Sequence, residues 1–121
     1  MAGPAVEIAK RYLEALFEED HETAYSLLDP DVEVVSPRRT VHGADQVRAR
    51  WRKAKYDHLV PAVDRRAYAE QNGSVRATTY MTWRWKVSGE IAYRTRVDGD
   101  FVVRDGRISR IETAVEHEAV E

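Results

Sequence analysis

Residues 74–104 read SVRATTYMTWRWKVSGEIAYRTRVDGDFVVR, and along them every second side chain changes character. Val75, Ala77, Thr79, Met81, Trp83, Trp85 and Val87 fall on one side, with Arg76, Thr78, Tyr80, Thr82, Arg84 and Lys86 on the other. That period of two belongs to a strand with one apolar face. After Ser88-Gly89 the pattern returns, with Tyr93, Thr95, Val97, Gly99, Phe101 and Val103 opposed to Arg94, Arg96, Asp98, Asp100 and Arg104. Because the alternation keeps its phase through Asp98-Gly99-Asp100, Gly99 reads as a bend or bulge inside one strand, a hairpin turn at Asp98-Gly99 being the alternative.

On either side of this stretch Asn72-Gly73 and Asp105-Gly106 are further turn signals, so the chain from residue 57 onward divides into four consecutive strands joined by short connections, an antiparallel meander. In the last strand Ile111, Thr113 and Val115 take the apolar side and Arg110 and Glu112 the other. Toward the N-terminus the period changes to that of a helix. Pro4 suits a first helical turn, and Val6, Ile8, Ala9, Tyr12, Leu13, Leu16 and Phe17 form one stripe, predicting a helix over about 4–18. Asp20 can cap a short second helix carrying Ala24, Leu27 and Leu28, which Asp29-Pro30 ends because proline disfavours helix in the residue before it. Val32 to Val35 then reads as a short strand stopping at Ser36-Pro37, with Thr40-Val41 as a hairpin partner, and Val47, Trp51 and Ala54 mark a third helix.

The expected fold class is α+β, with three N-terminal helices packed on a curved antiparallel meander. Strands of about 12 residues would extend roughly 40 Å if flat, so the sheet must twist and curl around the helices into a cone. A cone is difficult to fill, which predicts an internal, mostly apolar pocket. The 121 residues are expected to form a single domain over 1–121, with an ordered core at about 4–115 and an acidic tail at 116–121 that frays. No cysteine is present, so disulfides, thiolate zinc sites and cysteine nucleophiles are excluded. With no leader pattern and no stretch near the roughly 18 apolar residues of a membrane span, the expectation is a soluble cytoplasmic protein with no membrane partner. The net charge of −2 argues against a general nucleic-acid binder.

In order and spacing, KRYLEALFEED, LLDPDVEVVSP, TVHGADQVRARW and FVVRDGRISRI resemble the nuclear transport factor two-like superfamily, which includes SnoaL-like polyketide cyclases, ketosteroid isomerases and limonene epoxide hydrolases. The resemblance covers about residues 4–115 and implies a cone-shaped, cystatin-like roll. It also implies where chemistry would sit. The ketosteroid isomerase base falls on Ser36 and its tyrosine on Tyr12, while its second aspartate falls near Gly99, with Asp98 and Asp100 on the opposite parity. A neutral serine cannot abstract a proton without a partner base. The arginine and two aspartates of the epoxide hydrolases fall on Thr79, Met81 and Thr113, so that triad is absent.

The expected function is therefore the binding of a small hydrophobic metabolite in the internal pocket. Cofactor-independent isomerase, cyclase or lyase chemistry stands as one outcome, and non-catalytic binding or dimeric assembly as the alternative. Tyr12 and Ser36 would orient or polarise ligand oxygens, and His58 or His42 would act as base near neutral pH. Each has a plainer alternative: a packed helix tyrosine, a turn serine, a surface histidine. Val34, Trp51, Thr79, Met81 and Trp83, together with Thr95, Val97, Phe101, Ile111 and Thr113, are expected to line the pocket or simply to fill the core. No metal-ligand spacing, phosphate loop or dinucleotide fingerprint occurs, so neither metal nor cofactor is expected. On the outer face Arg76, Arg84, Lys86, Arg94, Arg96, Arg104 and Arg110, with Asp98, Asp100 and Glu112, predict a homodimer formed sheet to sheet. An anionic polymer on the same face is the outsider, and a solvated charged surface the plain alternative.

Overall fold

A computed structural model describes residues 4–51 and 58–118. Its elements are helices α1 (Pro4–Phe17), α2 (His21–Ser26) and α3 (Ala44–Trp51), and strands β1 (Leu28–Val35), β2 (Thr40–His42), β3 (Leu59–Gln71), β4 (Ser74–Trp85), β5 (Ile91–Arg104) and β6 (Arg107–Glu118). Together the strands make one six-stranded sheet in the order β2-β1-β6-β5-β4-β3. The meander β3 to β6 is antiparallel throughout, while β1 lies parallel to β6 and carries β2 as its antiparallel hairpin partner. The edges β2 and β3 do not meet, so the sheet is open.

Two of the meander's turns follow directly from their residues. Asn72-Gly73 and Asp105-Gly106 both have positive φ at each position, from 51° to 81°. This is the two-residue turn whose twist matches that of the flanking strands, and it favours an Asn-Gly or Asp-Gly pair. Gly99 sits inside β5, opposite Ala77 in β4 and Thr113 in β6, so β5 is one strand as the alternation suggested.

Curvature comes from irregularities in the ladders. Asp64 is an extra residue between the pairs Val63–Met81 and Arg65–Tyr80, Ala92 between Trp83–Tyr93 and Arg84–Ile91, and Ser109 between Val102–Arg110 and Val103–Ile108. Each bulge bends its strand and increases the local twist. The bulges also reverse parity, which is why Ile108 and Ile111, an odd number of residues apart, are both buried. The long edge strand β3 is blunted by Pro61, the Asp64 bulge, Arg65 and Arg66, the devices that keep an exposed edge from pairing with another chain.

α1 buries Ala5, Ala9, Tyr12 and Ala15. The Tyr12 ring meets the Phe101 ring of β5 edge-on at 6.0 Å, which places α1 against the inner face. The core there gathers Val75, Ala77, Phe101, Ile108 and Ile111 from the sheet, with Val32 from β1 and Val47 from α3.

Several expectations need correction. α2 ends at Ser26, and Leu28-Asp29-Pro30 begins β1 rather than ending a helix. The bias of a pre-proline residue toward extended backbone suits a strand as well as a helix stop. The missing proline N–H is harmless because β1 and β6 lose register between Leu28 and Glu33, where Asp29 Oδ1 instead accepts the Asp31 N–H at 2.8 Å. Trp85 is 48% exposed and Val87 wholly exposed, so the apolar face of β4 stops at Trp83. β6 runs on to Glu118, past the expected limit of the ordered core at 115. β6 pairs with β5 through Arg96–Glu116, Thr95–His117 and Arg94–Glu118. Ala54 lies outside the described residues.

Candidate functional site on the inner face of the sheet

The inner face has two parts. In one, α1, α2 and α3 cover the sheet, and four of the expected lining residues belong there: Phe101 and Ile111 are buried in the core, while Val34 and Trp51 pack against it. The other part runs along β3, β4 and β5 beyond that core. Register places Val63 opposite Met81, Arg66 opposite Thr79, Met81 opposite Thr95 and Thr79 opposite Val97. Val63, Met81 and Val97 are only half-buried, although they are apolar and lie on the covered side of the sheet. Val115, opposite Val97, is 48% exposed.

Polar groups in this stretch are fixed by neighbours. The Trp83 indole N–H donates to Thr95 Oγ1 at 2.9 Å, and its ring stacks on Tyr93 at 5.8 Å, which holds a flat aromatic wall in place. Arg66 Nε donates to Thr79 Oγ1 at 2.7 Å. Simple alternation from Val63 would put Arg65 inward and Arg66 outward. The bulge at Asp64 reverses that. A signal was present in the odd spacing between Val63 and Tyr68, both half-buried on the same face, which only an inserted residue permits. Arg65 turns outward and lies over the Tyr80 ring at 4.2 Å, and Asp64 accepts from Thr82 Oγ1 at 2.5 Å.

Tyr12 lies in the helix-packed core, 4% exposed and tilted against Trp51 at 6.2 Å. Burial pushes its phenol well above the ordinary value, and a hydrogen bond with Trp51 pulls in the opposite direction. The group is therefore neutral at physiological pH and is a hydrogen-bond donor rather than a base.

The other candidate catalytic residues do not join Tyr12. Ser36 closes the β1–β2 turn, where its Oγ donates to the Arg39 carbonyl at 3.1 Å. His58 is exposed at the foot of β3, beside Trp85, Lys86, Val87 and Ser88 around a cavity of about 300 Å³. His42 is exposed 3.4 Å from Glu33. Thr113, opposite Gly99, also borders a cavity of about 290 Å³ on the outer face, with Val35, Ser36, Pro37, Arg76, Asp98, Asp100 and Glu112. Neither cavity is the inner pocket expected from the sequence. Among the described residues no group of acids and histidines has the arrangement to hold a metal ion.

Asp98 and Asp100 face outward, as their parity required. Arg76 grips Asp100 with two hydrogen bonds of 2.8 and 3.1 Å, Thr78 donates to Asp98 at 2.9 Å, and Arg110 joins Glu33 at 3.2 Å and Glu112 at 3.1 Å. Arg76 and Arg110 are thus paired with acids within the chain. Among the described residues no helix is long and apolar enough to cross a membrane.

Comparison with known proteins agrees with this architecture. A SnoaL-like domain profile matches residues 9–111, and the chain belongs to that family. An NTF2-like protein from Burkholderia xenovorans superposes with a TM-score of 0.77 at 18% identity, over 93% of this chain and 89% of that one. A candidate polyketide cyclase from Xanthomonas campestris gives 0.77 at 17% identity, over 91% and 88% respectively. A candidate ketosteroid isomerase from Kribbella flavida gives 0.74 at 20% identity, over 98% and 81%. At these identities the likeness is one of fold. No curated protein matches the chain.

Proposed function

We propose that this domain binds a small, largely hydrophobic metabolite against the uncovered part of its inner face, between α1 and strands β3 to β5. The observation that carries the reading is the half-buried apolar stretch Val63, Met81 and Val97, flanked by the Trp83–Tyr93 stack and lying beyond the helix-packed core. Apolar surface left partly open on the covered side of a sheet is what a ligand site requires. Tyr12, Thr79 and Arg66 supply donors that can orient a ligand oxygen. The inner-face carboxylate Glu70 accepts the Val6 N–H at the start of α1, at 3.2 Å, and is thereby committed to that helix end. The set of groups suits holding and polarising a ligand better than taking a proton from it. Turnover, if present, would be a cofactor-independent rearrangement of the kind that the names of the cyclase and isomerase neighbours suggest.

The test is fluorescence titration in a Trp85→Phe background with neutral bicyclic ketones such as 2-tetralone. Saturable quenching is expected, and Met81→Arg should abolish it. No saturable response across the panel would remove the reading.

We also infer a homodimer through the outer face. The shelf of Val35, Pro37 and Ala114 is bordered by Arg76, Asp98, Asp100 and Glu112 and so carries both signs of charge. A two-fold interface needs such self-complementarity.

A further inference from the structure

We infer that the inner-face ligand carries a carboxylate, and that Arg66 is the residue that binds it. The inference rests on the binding site proposed above and adds its chemical class. Register places Arg66, alone among the described arginines of β3 to β6, on the inner face. Five of its counterparts outside have partners of their own: Arg76 meets Asp100, Arg96 meets Asp98, Arg110 meets Glu33 and Glu112, Arg65 lies over the Tyr80 ring and Arg84 donates to the Gly89 carbonyl, while Arg94, Arg104 and Arg107 lie on the solvent side.

Arg66 has no carboxylate partner among the described residues. Its one hydrogen bond, from Nε to Thr79 Oγ1, is made to a neutral hydroxyl. Glu70 is four residues further along β3, about 13 Å away at strand rise, and is engaged at α1.

Arg66 is a half-buried residue on the face that carries Met81 and Val97, and with no carboxylate beside it among the described residues its charge is open to an anion from outside the chain. The Thr79 bond fixes one edge of the planar group, and the two terminal nitrogens have no hydrogen-bond partner among the described residues. These form the fork that matches the two oxygens of a carboxylate. The apolar stretch on one side and the Trp83–Tyr93 wall further along β4 and β5 would take the ligand's hydrocarbon body. The class defined is a small aromatic or polycyclic carboxylic acid, bound as its anion.

The experiment compares 2-naphthoate with its near-isosteric neutral amide, 2-naphthamide, by fluorescence titration at pH 7 in the Trp85→Phe background. Naphthoate should bind at least about tenfold more tightly, the range expected for a hydrogen bond to a charged group. In Arg66→Met the preference for the acid should vanish, the acid losing at least about tenfold in affinity and the amide losing much less, so that the two bind alike. Arg66→Lys should keep only part of the preference, because an ammonium lacks the fork. Equal binding of acid and amide by the parent protein would overturn the inference without any variant, leaving the pocket itself intact. A preference that survives in folded Arg66→Met would overturn it equally. Binding of neither ligand would remove the pocket reading and this inference with it.

Discussion

At Gly99 an added methyl carbon would stand 3.0 Å from the edge of the Phe101 ring, closer than side chains normally approach. The ring cannot retreat freely, because Phe101 is 2% exposed and its other neighbours include Tyr12. Gly99→Ala should therefore destabilise the domain by about 1–3 kcal/mol through overpacking, not through backbone strain. Thermal denaturation should show the loss, and Phe101→Leu in the same chain should recover part of it, since the two sites share one volume. Phe101→Ala alone should cost about 3–5 kcal/mol. The same residues bear on what the sequence could disclose. Strict alternation through β5 placed Gly99 and Phe101 together on the inner face, and burial agrees. Arg66 escaped notice because one inserted residue, Asp64, reversed a parity that alternation alone would have carried forward.

Among the elements, α2 is a six-residue helix that depends on its cap. Asp20 accepts the Thr23 N–H at 3.3 Å and the Thr23 hydroxyl at 2.7 Å, and these bonds hold its carboxyl below the usual aspartate range. A depressed value in the folded state means that the cap's contribution is present above the unfolded value, about 4, and is lost as the pH falls through the folded one. The melting temperature should therefore fall on acidification below about pH 4, and Asp20→Asn, which caps without titrating, should fall less steeply. A series of melts between pH 6 and pH 2.5 gives the comparison; parallel curves would remove Asp20 from the account. The Asp64 bulge makes a second prediction for an element. Deleting Asp64 should be far more damaging than Asp64→Ala, because a one-residue slip in β3 exchanges the faces of everything on one side of it. Circular dichroism and melts of the two variants separate these outcomes. Helix and strand types were legible from period, turn residues and caps. The start of β1 was not, because Leu28-Asp29-Pro30 fits a helix stop and a strand start equally, and only pairing with β6 decides between them.

Over the whole molecule, the meander's long strands and their bulges curl the sheet, while the three helices cover part of its inner face. That division could not be read from alternation, which assigns a face to each residue but not what covers it. On the outer face Arg76, Arg96 and Arg110 pair with acids of the same chain, so a dimer formed there would add contacts around an existing network. Arg76→Glu, which puts repulsion beside Asp98 and Asp100, should shift sedimentation toward the monomer; an unchanged sedimentation coefficient at every concentration would remove the dimer proposal.

A ligand seated on the inner face between α1 and β3 to β5 would lie against the Met81 side chain. The chain contains two methionines, Met1 and Met81, so a spectrum of protein labelled at the methionine methyl carbon has one signal from that face. Titration with 2-tetralone should move the Met81 signal along a saturable curve and leave that of Met1 in place. A Met81 signal that stays fixed at saturating ligand, or moves no more than that of Met1, would contradict binding on that face.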